Sequence, residues 1–467
     1  MVEMKKTLIF IPSPWIGHLN SALEFAKLLI NTDNHLSITL LNIKHPGTPF
    51  SGSYIRSVLA SQPQIQIIDL PEVKPPQNQP ATASSLWNFM EGIKPHVKST
   101  LQNILSSYLN SHSNTVVGLV LDFLCAPMVD VGKDLGIPSY LFNPSNAGFL
   151  ILLLHLQKLQ IEDLLRYSDP EMCVPGFPSP VPSSVMPGPF YTRDEEGVVG
   201  CCNFAKKFTE TKGIIINTLS ELERYAIDAL TDAQTPPIYA VGPLINHKCH
   251  PNPNLEQAQH DLIMKWLDEQ PDSSVVFLCF GSRGSFDPSQ TREIALGLQH
   301  SGVRFLWALR SPPTNDNEEK TLPEGFLEWM ELEGRGMLCG SWAPQVDVLA
   351  HRAIGGFVSH CGWNSILESL WFGVPILTWP IYAEQQLNAF RMVREWGLAV
   401  ELRVDYREGS ALVMAEEIEK GLKHFMERDS MVYKKVQEMK EMARKAVLSG
   451  GSSFISVRRL IDDMISS

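Results

Sequence analysis

Residues Trp342–Gln385, WAPQVDVLAHRAIGGFVSHCGWNSILESLWFGVPILTWPIYAEQ, decide the fold. Within them IGGFVSH is an apolar, β-prone run that ends on His360. CGWNS breaks that run, and ILESLWFG then carries a helical period. A strand therefore feeds a tight turn, and the turn opens a helix near Asn364 and Ser365, both good N-cap residue types. Free N–H groups and the positive end of the helix dipole make such a point a seat for phosphate. VPILTWP reads as a second strand leading to the polar pair Glu384 and Gln385. In open α/β sheets ligands gather at these carboxyl ends. The Trp342 ring is able to stack a flat base. The stretch describes a site for a diphosphate with a base at one end and a hydroxyl-rich group at the other.

Working outward, SVVFLCFGS, RFLWAL and GMLCGSW alternate with helical runs before this stretch. Nearer the N-terminus LIFIP, LSITLLNI, IQIIDL, VVGLVLDF, GIIINT and PIYAVGP do the same. Continuous apolar strands separated by helices predict parallel sheets covered on both faces, here an α/β chain of two Rossmann-like domains. The polar stretch HKCHPNPNLEQ marks a linker over 246–258, between domains spanning 1–245 and 259–450, with a final helix over 451–467. The proline-rich segment 169–189 predicts an ordered surface loop without elements of its own.

Composition excludes several classes. A net charge of −12 over 467 residues argues against nucleic acid as a partner, which needs clustered Lys and Arg. Eight cysteines without a CxxC pair do not form a disulfide framework. His247, Cys249 and His250 in the linker resemble metal ligands, but their spacing fits no zinc pattern, and no metal is expected. The run GFLILLLHLQ is too short to span a membrane and reads as a buried helix. The N-terminal MVEMKKTLIFIPSPWIGH reads as a first strand and not as a signal peptide, so a soluble cytoplasmic protein is expected.

PSPWIGHLN sets His18 just after the first strand, at the opening of a helix. Histidine suits proton removal near neutral pH. Such a base needs an orienting carboxylate, and Asp122 ends the strand VVGLVLD on the same rim. Each residue could equally serve as a cap or loop residue. In FGSRGSF, small residues permit close approach of backbone N–H groups to phosphate, with Ser282 the candidate contact, although Gly-Ser turns are common. Arg283 is expected to face solvent.

Trp342–Gln385 closely resembles the signature box of plant glycosyltransferase family 1, the UDP-sugar-dependent enzymes of secondary metabolism: it has WAPQ, HCGWNS, Glu368 and the closing Glu-Gln in register. The likeness runs from the first strand to the last helix. It implies the GT-B architecture, two Rossmann-like domains facing across a cleft, with the last helix returning to the first domain. It implies that His18 in its Pro-x-x-Gly-His setting is the catalytic base and Asp122 its partner. Trp342 would stack on uracil, with Gln345 near the ribose, Glu368 accepting its hydroxyl hydrogen bonds and Ala343 beside them in the UDP-sugar site. His360, Asn364, Ser365 and Ser282 would hold the diphosphate, and Trp363, Glu384 and Gln385 the sugar. Core packing is the competing reading for Trp363, and a solvated helix start for Glu384 and Gln385. A terminal Gln resembles the glucose-using members, where galactose-using ones end in His. Two departures stand out: Trp15 replaces the usual glycine, either narrowing the acceptor pocket or turning into the core, and Ser341 stands as an extra residue before Trp342.

The expected activity is inverting transfer of glucose from UDP-glucose to a hydroxyl of a small hydrophobic aglycone, giving a β-glucoside. No cofactor is expected, the partners are the UDP-sugar and the aglycone, and the chain is expected to be a monomer. The chain has no Asp-x-Asp anchor for Mg²⁺ or Mn²⁺. Trp15, Phe89, Phe123, Phe142, Phe149 and Phe190 are the expected acceptor contacts, suiting a flavonoid, another phenolic or a triterpenoid, the substrates of the legume members it most resembles. Three rivals stand beside this reading: a nicotinamide dehydrogenase, which should carry G-x-G-x-x-G where this chain has PSPWIGH; a non-catalytic sugar-nucleotide binder; and the same reaction with another donor such as UDP-galactose.

Overall fold

The computed structural model describes residues 5–45, 48, 55–56, 58–60, 62–73, 83–111, 114–232, 235–246, 257–310, 321–340, 342–427 and 431–466. Most of the linker, including His247, Cys249 and His250, lies outside the described residues, as does Ser341. The chain divides into two compact units. The first joins residues 1–183, 189–245 and 445–467, and the second joins 184–188 and 246–444.

The first unit is a parallel sheet of seven strands: β1 (Lys5–Ile11), β2 (Leu36–Asn42), β3 (Ile65–Asp69), β4 (Asn114–Asp122), β5 (Ser139–Asn143), β8 (Gly213–Ile216) and β9 (Ile238–Ala240). Its order is β3-β2-β1-β4-β5-β8-β9. Successive side chains of a strand point to opposite faces, so β1 feeds two cores. Leu8 and Phe10 meet the helix Ile16–Thr32, while Ile9 and Ile11 meet the helix Ala83–Ser111. The last helix, Ser452–Ile465, sets Val457, Leu460, Ile461 and Met464 into the first of these cores. Asp463 there accepts a 2.9 Å hydrogen bond from the Tyr140 hydroxyl, and Lys6 donates to the Ile465 carbonyl at 3.0 Å.

The proline-rich segment departs from expectation. It contains an antiparallel ribbon of β6 (Glu171–Met172) and β7 (Val181–Pro182), and it leads into a short helix, Gly188–Thr192. Met172, Val174, Val181, Val185 and Met186 are buried. Prolines deny the ribbon further ladder bonds, but its apolar side chains still seek cover. Residues 184–188 group with the second unit and not, as expected, with the first; the Arg407 guanidinium donates to the Ser184 and Met186 carbonyls at 2.8 and 2.6 Å.

The second unit is a parallel sheet of six strands: β10 (Val275–Cys279), β11 (Arg304–Trp307), β12 (Gly336–Leu338), β13 (Ile354–Ser359), β14 (Ile376–Thr378) and β15 (Ala399–Glu401). Its order is β12-β11-β10-β13-β14-β15. Both sheets thus run third, second, first, fourth, fifth strand outward from their start. Strand order reverses between β1 and β4 in one and between β10 and β13 in the other, and such reversals open crevices for ligands.

Candidate active site

In the first unit the two residues singled out for chemistry flank that reversal. His18 lies in the first turn of the helix that follows β1, and Asp122 is the last residue of β4. Nδ1 of His18 is 3.0 Å from Asp122 Oδ2 and 3.2 Å from Oδ1. The Asp122 side chain is wholly buried and that of His18 is 25% exposed, so the carboxylate is fixed while the ring keeps an open edge. Asp122 also accepts a 3.0 Å bond from the Leu124 N–H, which pins its rotamer. A carboxylate on Nδ1 keeps the proton there and leaves Nε2 as an acceptor.

Aromatic rings surround the imidazole. Phe123 stacks on His18 at 5.3 Å between centroids, and Phe149 meets Phe123 edge-on at 6.2 Å. Phe149 opens the helix Ala147–Leu156, whose first N–H groups are held by buried Glu223: Oε2 accepts from Ala147 at 2.7 Å and Oε1 from Gly148 at 3.0 Å. Phe190 is half-buried beside the same core. Trp15 is half-buried with its ring 4.8 Å from His45, which sets its edge on Phe89 at 5.1 Å. His45 was not legible as a neighbour in the sequence; burial lowers its pKa. Two expected acceptor contacts need correction. Phe142 is 1% exposed and stacks on Phe25 in the core, and Phe89 is buried at 3%. Neither offers a face to a ligand.

In the second unit the segments after β10, β12, β13 and β14 carry the remaining candidates. His360 follows β13 and is buried, and burial pushes its imidazole down to about 4, so it is neutral at pH 7. Its Nδ1 has no hydrogen-bond partner among the described residues. The ring is clamped between two glycines, Gly281 and Gly362. A Cβ on Gly281 or on Gly362 would come within 2.5 Å of His360 Nε2. Gly281 also has φ +77°, a left-handed value that side chains resist. Gly281→Ala is therefore expected to displace the ring and to cost about 1–3 kcal/mol, measured as a lower Tm together with weaker UDP binding; unchanged values of both would remove the clamp.

The helix after β13 is Trp363–Phe372, and its N-cap is Gly362. Asn364 and Ser365 are thus not its caps, as expected, but sit in its first turn, half-buried and buried respectively. Ser365 Oγ accepts from Gln345 Nε2 at 2.9 Å, and the same amide donates to Glu368 Oε2 at 2.7 Å. Burial pushes the half-buried Glu368 carboxyl up to about 7, against the opposing pull of the Gln345 bond. Trp342 is half-buried and Ala343 buried. Trp363 is 3% exposed, with its ring 6.3 Å from Trp396, so core packing and not a sugar contact describes its side chain. Ser282 lies half-buried in the loop after β10. Arg283 is exposed, yet its guanidinium lies 5.8 Å over the Tyr382 ring. Glu384 is half-buried, whereas Gln385 is buried, its Oε1 accepting the Ile381 and Tyr382 N–H groups at 2.9 Å each. A solvated helix start does not describe Gln385.

No group of three or more His, Cys, Asp or Glu is arranged to hold a metal ion among the described residues. None of the described helices is long and apolar enough to cross a membrane.

Residues 213–439 match the family described as UDP-glucoronosyl and UDP-glucosyl transferase. UDP-glycosyltransferase 71K1 of Malus domestica is 50% identical, over 99% of both chains. A flavonol 3-O-glucosyltransferase of Arabidopsis thaliana, UGT71C4, is 44% identical over 98% of this chain and 97% of its own. The crystal structure of Medicago truncatula UGT71G1 complexed with UDP-glucose is 62% identical over 98% of both chains, with a TM-score of 0.91. The fold class is GT-B, as the sequence implied.

Proposed function

The chain belongs to the plant UDP-glycosyltransferases, and from that membership we propose that it moves glucose from UDP-glucose to a hydroxyl of a small hydrophobic aglycone with inversion. The observation that carries the reading is the His18–Asp122 pair at 3.0 Å, with an open imidazole edge among aromatic rings. His18 Nε2 takes the hydroxyl proton as the acceptor oxygen attacks the anomeric carbon. The bond from that carbon to the β-phosphate oxygen breaks on the opposite face, UDP leaves, and an α-linked donor becomes a β-glucoside. Asp122 steadies the imidazolium through Nδ1–H.

Trp342 and Ala343 would meet uracil, and Gln345 and Glu368 the ribose. Ser282, His360 Nδ1 and the N–H groups at Asn364 and Ser365 would take the diphosphate, while Glu384 and the amide nitrogen of Gln385 would meet the glucose hydroxyls. A neutral His360 serves here as a hydrogen-bonding group and not as a fixed cation. No metal has a part in this reading; oriented donors stabilise the leaving group. The aglycone is a flavonoid or related phenolic, as the flavonol-acting relative and the rings of Phe123 and Phe149 suggest. The seven described cysteines are free thiols, which suits a cytosolic setting.

Purified protein supplied with UDP-glucose and a panel of flavonoids, simple phenols and triterpenoids should yield a glucoside whose anomeric proton shows the large coupling of a β-linkage. Retained UDP binding with no transfer to any member of the panel would favour a sugar-nucleotide binder, and an α-glucoside would overturn the displacement.

Glu368 gives the donor half a pH dependence. Ribose hydroxyls donate to an ionised carboxylate, so UDP binding favours loss of the Glu368 proton. Since that carboxyl titrates at about 7, affinity should fall as pH drops through this value, by up to about 10-fold per unit. Calorimetry in buffers of differing ionisation enthalpy should show proton release, and Glu368→Gln should flatten the profile. Binding without proton release near neutrality would place the ribose elsewhere.

A further inference from the structure

Cys361 stands between His360 and the N-cap Gly362 with φ +61°, in the left-handed region that L side chains resist. Its peptide groups are tied on both sides. Its N–H donates to Ser359 Oγ at 3.2 Å, and its carbonyl accepts from Asn388 Nδ2 at 3.0 Å. Asn388 is 1% exposed and lies on the short helix Gln385–Phe390, three residues beyond the signature box. That helix starts at Gln385, whose Oε1 closes the turn over Ile381 and Tyr382. One buried amide therefore joins the loop after β14 to the strained residue after β13.

We infer that Asn388 is a positioning residue for the donor diphosphate: its amide holds Cys361 in the left-handed conformation that aims His360 and the first N–H groups of the helix Trp363–Phe372 at one point. The inference rests on the proposed seat of the diphosphate at that loop. Without the tether Cys361 relaxes toward negative φ, and the peptides on either side of it rotate. His360 cannot follow within its slot, because Gly281 and Gly362 leave no spare room around Nε2. Loss of the tether should therefore weaken whatever the diphosphate contributes to binding and leave the nucleoside contacts at Trp342, Gln345 and Glu368 in place.

Asn388→Ala should weaken UDP binding by about 5- to 150-fold, the range set by backbone strain of this kind, while uridine binding changes less than about 2-fold. Glycine bears the left-handed conformation without cost. Cys361→Gly should therefore make the tether dispensable, and Cys361→Gly/Asn388→Ala should regain most of the UDP affinity that Asn388→Ala loses. Such rescue is a coupling between two sites, which a general loss of packing at Asn388 would not show. Asn388→Leu, of similar volume, repeats the measurement where the alanine cavity costs the fold. If either Asn388 variant alone binds UDP as the unaltered protein does, or loses uridine and UDP alike, or is not rescued by Cys361→Gly, the inference fails. If the unaltered protein binds uridine and UDP equally, the seat of the diphosphate itself is wrong.

Discussion

Replacing His18 with alanine is expected to lower kcat by about 10²- to 10⁴-fold, the usual worth of a placed general base, with UDP affinity unchanged. The loss follows from what the ring supplies. A phenolic or alcoholic hydroxyl attacks poorly while it keeps its proton, and the open edge of His18 is where that proton can go. Asp122 is expected to matter nearly as much without touching the acceptor. In Asp122→Asn the amide can present an N–H to Nδ1, which favours the imidazole tautomer protonated on Nε2 and blocks the acceptor site for the proton. Its kcat should therefore fall into the same range, with the fold kept, as Leu124 and His18 still find a hydrogen-bonding group of the same shape. Single-turnover rates with excess enzyme, set beside UDP titrations, separate the effects. A His18→Ala protein that keeps its rate would show the dyad to be structural. One that loses UDP affinity along with rate would place His18 in donor binding.

The second large effect concerns stability. Arg391 and Glu395 form an ion pair at 2.8 Å with side chains 2% and 1% exposed. They lie in one wide turn, Arg391–Glu395, hydrogen-bonded with a π-helical period. The guanidinium also stands 4.4 Å over the Trp396 ring, which in turn meets Trp363. Breaking a buried ion pair by removing one member typically costs about 3–5 kcal/mol. Arg391→Met should therefore lower stability by that amount in denaturant titrations. Replacing both, Arg391→Met with Glu395→Leu, should recover much of the loss, since apolar residues of similar volume need no partner. A single variant as stable as the parent would mean that solvent reaches the pair. Because Trp396 backs Trp363, the single variant is also expected to loosen the helix that carries Ser365 and Glu368 and so to weaken UDP binding.

Much of this architecture is legible in the sequence because parallel strands and helices alternate so plainly. Asp122 ends one apolar strand and His18 opens the helix after another, and in a parallel sheet such ends share one rim; the family resemblance then singles the two out as a pair. The failures have equally local causes. Phe142 sits in SYLFN, a strand buried on both faces, so no alternation tells which face each ring takes. Asn364 and Ser365 read as caps on residue type, whereas the N-cap, two residues before Asn364, is Gly362, whose lack of a side chain the neighbouring imidazole requires. Trp363 could be a ligand contact or a core residue on composition alone, and only its approach to Trp396 decides between them. The strained φ of Cys361 has no sequence signal, since cysteine is not a residue type that advertises a left-handed turn. Asn388 carries no signal of its own, because a polar residue in a helix reads as exposed until its partner is seen.

The return of the last helix to the first sheet bears on how the protein can be divided. Val457, Leu460, Ile461 and Met464 complete a core that begins with Leu8 and Phe10, so the first unit is assembled from both extremities of the polypeptide. A fragment ending near residue 245 would leave that apolar face uncovered and should aggregate when expressed alone. A hybrid that borrows the first unit of a relative through one crossover would pair a foreign sheet with the native terminal helix. An exchange of the first unit must therefore cut the gene twice, once near residue 245 and again near residue 445, and carry both pieces together.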